Sequence, residues 1–203
     1  MNNLSKILSL LLHPLFMPLI VCFICLNFIE ELNFLLTNKS LFFSILSLTT
    51  IITPCCIVLI LLKNNKIKSL KMNTKKERIL PLFFTSICIL AGYFVLKKLF
   101  IYIPVLNLIL LGAALTLILA AIISKFWKIS LHMLGVGGGT GVFLSLHYLF
   151  GGLLHIIIFF LLLSGLLGSS RIKENAHGHA QVYVGFLTGL IIELFIIIGI
   201  KPL

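Results

Sequence analysis

Residues 104–124 read PVLNLILLGAALTLILAAIIS and contain no charged side chain. A helix of this length reaches about 30 Å, which is the thickness of the hydrocarbon core of a bilayer. Similar apolar runs recur at approximately 7–29, 40–62, 80–96, 134–150, 153–168 and 179–200. They lack the polar–apolar alternation of barrel strands, so each run is predicted to be a helix. The fold class that follows is all-α, a polytopic transmembrane helical bundle.

The composition supports one integral membrane domain over residues 1–203. Of the 203 residues, 60% are hydrophobic and 10% are charged, whereas soluble domains average about 25% charged residues. The first apolar run contains Pro14 and Pro18, and proline kinks or breaks a helix. The sequence therefore predicts six or seven spans, depending on whether this first run crosses the bilayer.

The positive charges are distributed unequally across the bilayer. Threading the helices back and forth puts the N-terminus and the segments 63–79, 125–133 and 169–178 on one face, here called the basic face. This face holds 12 of the 16 Lys and Arg residues, and the opposite face holds Lys39, Lys97, Lys98 and Lys201. The positive-inside rule predicts a cytoplasmic basic face. Short basic loops at a membrane suit anionic lipid headgroups and phosphate esters, and we expect no nucleic-acid partner.

Glycines are frequent in two of the apolar runs. They are Gly135, Gly137, Gly138, Gly139, Gly141, Gly185 and Gly189. No Gly-Lys-Ser/Thr follows the first cluster, so it is not a nucleotide-binding phosphate loop. Small residues allow helix backbones to approach closely in membranes. We predict that these glycines serve packing.

Three short polar segments on the basic face carry residues suited to chemistry. The segments are Lys71-Met-Asn-Thr-Lys-Lys-Glu-Arg78, Ile129-Ser-Leu-His132, and Ser170-Arg171 followed five residues later by His177, with Gln181 four positions on. Six of their residues, Lys71, Arg78, Ser130, His132, Arg171 and His177, together supply three cations, a hydroxyl and two imidazoles. Phosphoryl transfer needs cations for the equatorial oxygens, a nucleophile in line and a proton donor for the leaving oxygen. The combination indicates a phosphate-handling site.

The spacing of these segments resembles the three signature motifs of the type 2 phosphatidic acid phosphatase and haloperoxidase superfamily. That family carries Lys-x6-Arg-Pro, then Pro-Ser-Gly-His, then Ser-Arg-x5-His-x3-Asp. The chain keeps these residues at the family spacing: Lys71, Arg78, Ser130, His132, Ser170, Arg171 and His177. It departs from the family pattern at four positions. The proline comes at Pro81 instead of directly after the arginine, and Ile129 and Leu131 replace the proline and glycine of the second motif. Gln181 replaces the aspartate of the third motif. The motif-bearing core is about 63–200.

The resemblance implies a role for each motif residue. Four side chains would bind the phosphate: Lys71, Arg78, Ser130 and Arg171. His177 would attack phosphorus to give a phosphohistidine, and His132 would protonate the departing alcohol or phosphate. Gln181 would orient the His177 ring. The implied substrate is a membrane lipid phosphate or an isoprenoid diphosphate, and neither a metal nor another cofactor is implied.

Two alternatives remain open at this stage. Gln181 lacks the charge that stabilises an imidazolium, and Leu131 removes a glycine that lets the backbone approach phosphate. These departures favour a weakly active or inactive member that binds anionic lipid or acts as a transporter. A metal site at His132, His177 and His179 is a further alternative, although residues two apart diverge on a helix.

The expected location is a bacterial inner membrane. The charge count predicts that the basic face is cytoplasmic, whereas many bacterial members of the superfamily that the chain resembles have outward-facing sites. These two expectations oppose each other, so the sequence leaves the side of the site open.

Overall fold

The computed structural model describes the backbone of residues 3–70, 72 and 74–200, and the side chains among them from residue 7 onward. Within these ranges the regular structure is helical. It comprises α1 (Asn3–Leu11), α2 (Met17–Phe28), α3 (Glu30–Leu35), α4 (Lys39–Ser47), a π-helical turn (Leu48–Ile52), α5 (Thr53–Lys63), α6 (Lys75–Leu99), α7 (Pro104–Phe126), α8 (Leu131–Phe150), α9 (Leu154–Lys173) and α10 (His179–Ile200).

In the described part of the chain, six helices are long and apolar enough to cross a membrane. They are the continuous helix Lys39–Lys63, formed by α4, the π-helical turn and α5, and then α6, α7, α8, α9 and α10. Short connections join successive spans, so neighbouring spans in sequence run antiparallel. The predicted all-α membrane bundle is confirmed, with six spans.

The first predicted apolar run is divided into two helices. Pro14 lacks an N–H and disfavours helical geometry at the residue before it, so α1 ends at Leu11. Helix α2 begins at Met17, with Pro18 in its first turn, where the missing N–H costs nothing. Its 12 residues span about 18 Å, less than the hydrocarbon thickness. This break is why the run is not a seventh full span.

The glycines of α8 and α10 bring the two helix backbones into direct contact. A Cβ added to Gly137 would lie 2.1 Å from the carbonyl oxygen of Phe186, and one added to Gly189 would lie 2.1 Å from that of Leu134. Gly141 and Gly185 face carbonyl oxygens of the other helix in the same way. The packing role predicted for these glycines is confirmed.

The ends of five helices meet at the basic face. The face is formed by the starts of α6, α8 and α10 and by the ends of α7 and α9. The start of α6 is fixed by Glu77, whose carboxylate accepts hydrogen bonds from the backbone N–H groups of Lys68 (3.1 Å) and Thr74 (3.2 Å). Ser130 donates its backbone N–H to the carbonyl oxygen of Gln181 at 3.3 Å. This bond joins the second and third polar segments.

The α8–α10 contact predicts a sharp difference between two glycine substitutions. Gly189→Ala places a methyl group against the Leu134 backbone, which cannot move aside, so we expect a loss of about 3 kcal/mol or more. Gly165→Ala in α9 meets no atom within 4 Å and is the matched control, expected to be neutral or to stabilise by up to about 1 kcal/mol. Thermal unfolding in detergent measures both. Equal melting temperatures for the two variants would contradict the contact.

Candidate functional site

A tight turn after α9 folds His177 back over Arg171. The backbone N–H groups of Ala176 and His177 both donate to the carbonyl oxygen of Arg171, at 3.1 and 3.3 Å. Asn175 adopts a left-handed conformation with φ of 53°, which asparagine tolerates better than most residues. The turn buries both functional side chains of the third segment, leaving Arg171 and His177 each 9% exposed.

Gln181 sets the orientation and tautomer of the His177 ring. Its side-chain oxygen Oε1 lies 2.9 Å from Nδ1 of His177, and it also accepts the backbone N–H of Gly178 at 3.3 Å. An atom that accepts from a backbone N–H must be the amide oxygen, so Nδ1 of His177 carries the proton. The lone pair of Nε2 is then unprotonated, and the described residues give Nε2 no hydrogen-bond partner. A neutral ring in this tautomer is a competent nucleophile.

Arg78 connects the first and second polar segments. Its Nε donates to the carbonyl oxygen of Met72 at 3.1 Å, and one terminal nitrogen donates to the carbonyl oxygen of Ile129 at 2.9 Å. The side chain is 8% exposed. Both partners are neutral carbonyls, so the guanidinium keeps its full positive charge. Lys71, the other phosphate ligand predicted in the first segment, lies outside the described residues.

Arg171 and His132 both contact Ser9 of α1. One terminal nitrogen of Arg171 donates to the Ser9 hydroxyl and to a carboxylate oxygen of Glu174, the latter at 2.5 Å. The Nε2 atom of His132 lies 3.0 Å from the Ser9 carbonyl oxygen. A carbonyl only accepts, so Nε2 of His132 is the protonated nitrogen. The His132 ring also packs edge-on against His13, with ring centroids 5.5 Å apart.

Three buried donors near these residues have no partner among the residues described. They are the hydroxyls of Ser130 and Ser170 and the Nε atom of Arg171. A buried donor left without an acceptor typically costs about 1–3 kcal/mol. Ser130 is fully buried at the start of α8, where the first backbone N–H groups also point out of the helix. This region of the basic face therefore holds several buried donors without an acceptor among the described residues.

Burial, together with nearby positive charges, keeps the His177 ring neutral. Burial is the main reason that the pKa of His177 falls to about 4, and the positive charges of Arg78, Lys128 and Arg171 lower this pKa further. The hydrogen bond with Gln181 acts in the opposite direction. Three cations from three separate segments thus act on one imidazole, which is uncharged at neutral pH.

Lys128 is a site residue that the motif spacing does not indicate. Its Nζ donates to the carbonyl oxygen of Ala176 at 3.3 Å, which holds it beside the turn that carries His177. The pKa of Lys128 is lowered by burial and then by the charge of Arg78. The family pattern has no cation two residues before Ser130. The one sequence signal for Lys128 was that it lies in the four-residue loop 127–130 together with Ser130.

The structure thus groups most of the predicted site residues. Five of them lie together at the basic face: Arg78, Ser130, Arg171, His177 and Gln181. His132 adjoins this group through Ser9, which contacts both His132 and Arg171. No three His, Cys, Asp or Glu residues in the described ranges are grouped as metal ligands, so the metal-site alternative gains no support.

The fold and the site define an integral membrane helical bundle with a cluster of cationic and histidine side chains at one face. In comparisons with known proteins, the chain matches no protein-family model, no curated protein and no solved structure. The particular activity therefore has to be argued from the residues themselves.

The lowered pKa of His177 predicts a pH-dependent stability. Between pH 6.5, its ordinary pKa, and about 4, the unfolded chain binds a proton that the folded chain does not. The contribution of neutral His177 to the free energy of unfolding is therefore fully present above pH 6.5, and it is lost as the pH falls through about 4. We expect the stability of the wild type relative to His177→Gln to decrease over this interval.

Melting temperatures in detergent at several pH values measure this effect. His179→Gln is the control, because His179 is exposed two residues away. It should follow the wild type at every pH. A constant difference between the wild type and His177→Gln from pH 7 to 4 would contradict a buried, neutral His177.

Proposed function

We propose that this protein hydrolyses a lipid phosphate or diphosphate at the basic face through a phosphohistidine on His177. The observation that carries the proposal is the environment of His177. Its Nδ1–H is held by Gln181, its Nε2 lone pair has no partner within the described residues, and cations from three segments act on it. A buried imidazole in that state, surrounded by positive charge, suits attack on a phosphate ester.

The proposed reaction has two displacement steps. In the first, Nε2 of His177 attacks phosphorus and forms a P–N bond, while the bond from phosphorus to the lipid oxygen breaks. With the phosphate anion bound beside it, His132 carries a second ring proton, and this imidazolium gives its Nε2 proton to the departing oxygen and becomes neutral. In the second, water attacks phosphorus, the P–N bond breaks, and His132 takes up the proton that the water loses. Inorganic phosphate leaves and both imidazoles return to their starting states.

The cations hold the phosphoryl group through both steps. Arg78 and Arg171 are buried and fixed, whereas Lys128 is a flexible point charge that can follow the changing geometry. The hydroxyl of Ser130 and the first backbone N–H groups of α8 add donors without charge. We include Lys71 as a further phosphate ligand on the basis of its motif position alone.

Ser9 occupies positions that the substrate would take. Its hydroxyl accepts from Arg171 as a phosphate oxygen would, and its carbonyl accepts from His132 as the leaving oxygen would. The neighbouring residues Ile7, Leu10 and Leu11 are apolar and exposed, which suits contact with lipid chains. We propose that the substrate headgroup displaces Ser9 while its apolar tail stays in the bilayer beside α1.

The proposed location is a bacterial inner membrane. The side of the site is assigned by attaching an impermeant thiol reagent to Asn175→Cys in sealed vesicles. Because the five native cysteines are free, the cysteine is introduced into a chain from which they have been removed.

A phosphate-release assay tests the proposed activity. Purified protein in detergent is given phosphatidic acid, a phosphatidylglycerol phosphate, an isoprenoid diphosphate and a lipid A phosphate, and inorganic phosphate is measured. We expect release from at least one lipid, a fall to background in His177→Ala, and a loss of about 100-fold or more in Arg171→Ala. His179→Ala and Lys173→Ala are the matched controls, since both residues are exposed near the same turn. Equal release from the wild type and His177→Ala would overturn the proposal.

A second candidate function is binding of anionic lipid without turnover. Glu174 favours it, because its carboxylate lies 2.5 Å from Arg171 and already offsets one of the cations. Gln181 also favours binding without turnover, because its neutral side chain lacks the charge that stabilises an imidazolium. Retained lipid phosphate binding, with no phosphate release from any lipid even after Gln181→Asp, would support this function over hydrolysis.

A further inference from the structure

A buried carboxyl group lies in the middle of the membrane domain, away from the basic face. Glu193 of α10 is 3% exposed, and its Oε2 has no hydrogen-bond partner in the described structure. The glycines opposite it create the space that it fills. A Cβ added to Gly112 would lie 2.2 Å from Oε2, and one added to Gly138 would lie 3.5 Å from Cγ. Gly138 is two helical turns, about 12 Å, beyond Ser130 along α8.

The carboxyl group borders a partly open cavity of about 50 Å³, which is lined by Pro14 and by residues of α2, α6, α7, α8 and α10. Thr116 of α7 also lines this cavity, and its buried hydroxyl has no partner among the described residues. The rest of the wall is mainly apolar. One water molecule needs about 10–15 Å³ of such space, so the cavity has room for about three to five water molecules.

The cavity extends from Glu193 toward the basic face. Its wall includes Pro14, which follows His13, and Gly135, which lies three residues after His132. Glu193 is the one titratable side chain among the described residues that line the cavity.

The charge state of Glu193 follows from its surroundings. An ionised carboxylate buried in an apolar site is very costly unless a cation pairs with it. Within the described residues, α6, α7 and α8 place no Lys, Arg or His against Glu193, and the titratable neighbour is the thiol of Cys22 on α2. A carboxyl group in this position is expected to hold a proton.

We propose that this cavity is a hydrated proton-binding site. Glu193 is the group that carries the proton, and internal water joins its carboxyl group to the hydroxyl of Thr116. The water satisfies two buried polar groups that the protein leaves unpaired, and it provides a path for exchange of the proton toward the basic face. The site does not depend on the proposed phosphatase activity, because none of its groups contacts a phosphate.

Infrared difference spectroscopy tests the proposal on the full chain in lipid. A protonated carboxyl group gives a C=O band that an ionised carboxylate lacks. At pH 7 we expect such a band from protein carrying ¹³C-labelled glutamate, lost in Glu193→Gln and retained in Glu31→Gln, whose residue is exposed. The band should shift to lower frequency in D₂O within minutes, because water in the cavity exchanges the proton.

A second variant keeps the test valid if Glu193→Gln fails to fold. Thr116→Val preserves the shape of the side chain and removes the hydroxyl that anchors the water, so the band should move to higher frequency as its hydrogen bond weakens. Absence of the band, with a melting temperature that rises with sodium, would show a cation site and overturn the proposal. A band unaffected by both D₂O and Thr116→Val would show a dry cavity and also overturn it.

Discussion

The backbones of α8 and α10 approach so closely that four of their glycines have no room for a β-carbon. This contact fixes the relative heights of the two helices and aligns Ser130 with the first turn of α10. In lipid there is no hydrophobic force between helices, so close van der Waals packing holds them together. The positions of the second and third polar segments both depend on this packing, since each segment is attached directly to one of the two helices.

The arrangement of charge at the basic face is unusual in one respect. Arg78 and Lys128 are partly or fully buried, yet among the described residues they donate to carbonyl oxygens and not to carboxylates. Glu174 offsets one cation of the group, Arg171. Nearby like charges repel, and the repulsion is stronger where little water screens it. Binding of an anion among these cations relieves the repulsion between them, which is why phosphate chemistry is the function we favour.

Most of the membrane architecture was predictable from the sequence, because apolar runs directly reflect the thickness of the bilayer. The run 104–124 became α7, and the run 179–200 became α10 with identical bounds. The predicted helix boundaries were wrong where a helix continues into polar sequence. Helix α6 begins at Lys75 and not near 80, and α9 continues through Arg171 to Lys173. A hydropathy criterion stops at such residues, although Thr74 and Glu77 at positions N-cap and N3 signal the earlier start.

Sequence spacing and topology predicted that the three polar segments share one face, but the atomic contacts between them could not be predicted. Motif spacing alone indicated that Arg78, Arg171 and His177 would meet, but not which atoms would remain available. The contacts of Ser9 could not be predicted, because they depend on how α1 packs against the start of α8 and the end of α9. Such a tertiary contact leaves no local sequence pattern. The same holds for the cavity beside Glu193, which arises from the way glycines on two other helices face that residue.

We propose that the cations around His177, which come from separate segments, hold an oxyanion, and a crystal structure with tungstate tests this proposal most directly. Anomalous scattering locates the tungsten atom without assumptions about the bound group. The account predicts one ion within hydrogen-bonding distance of Nε2 of His177, contacted by Arg171 and Lys128, with Ser9 displaced from Arg171. Tungstate found only at other surfaces, with Nε2 of His177 facing the lipid, would contradict it.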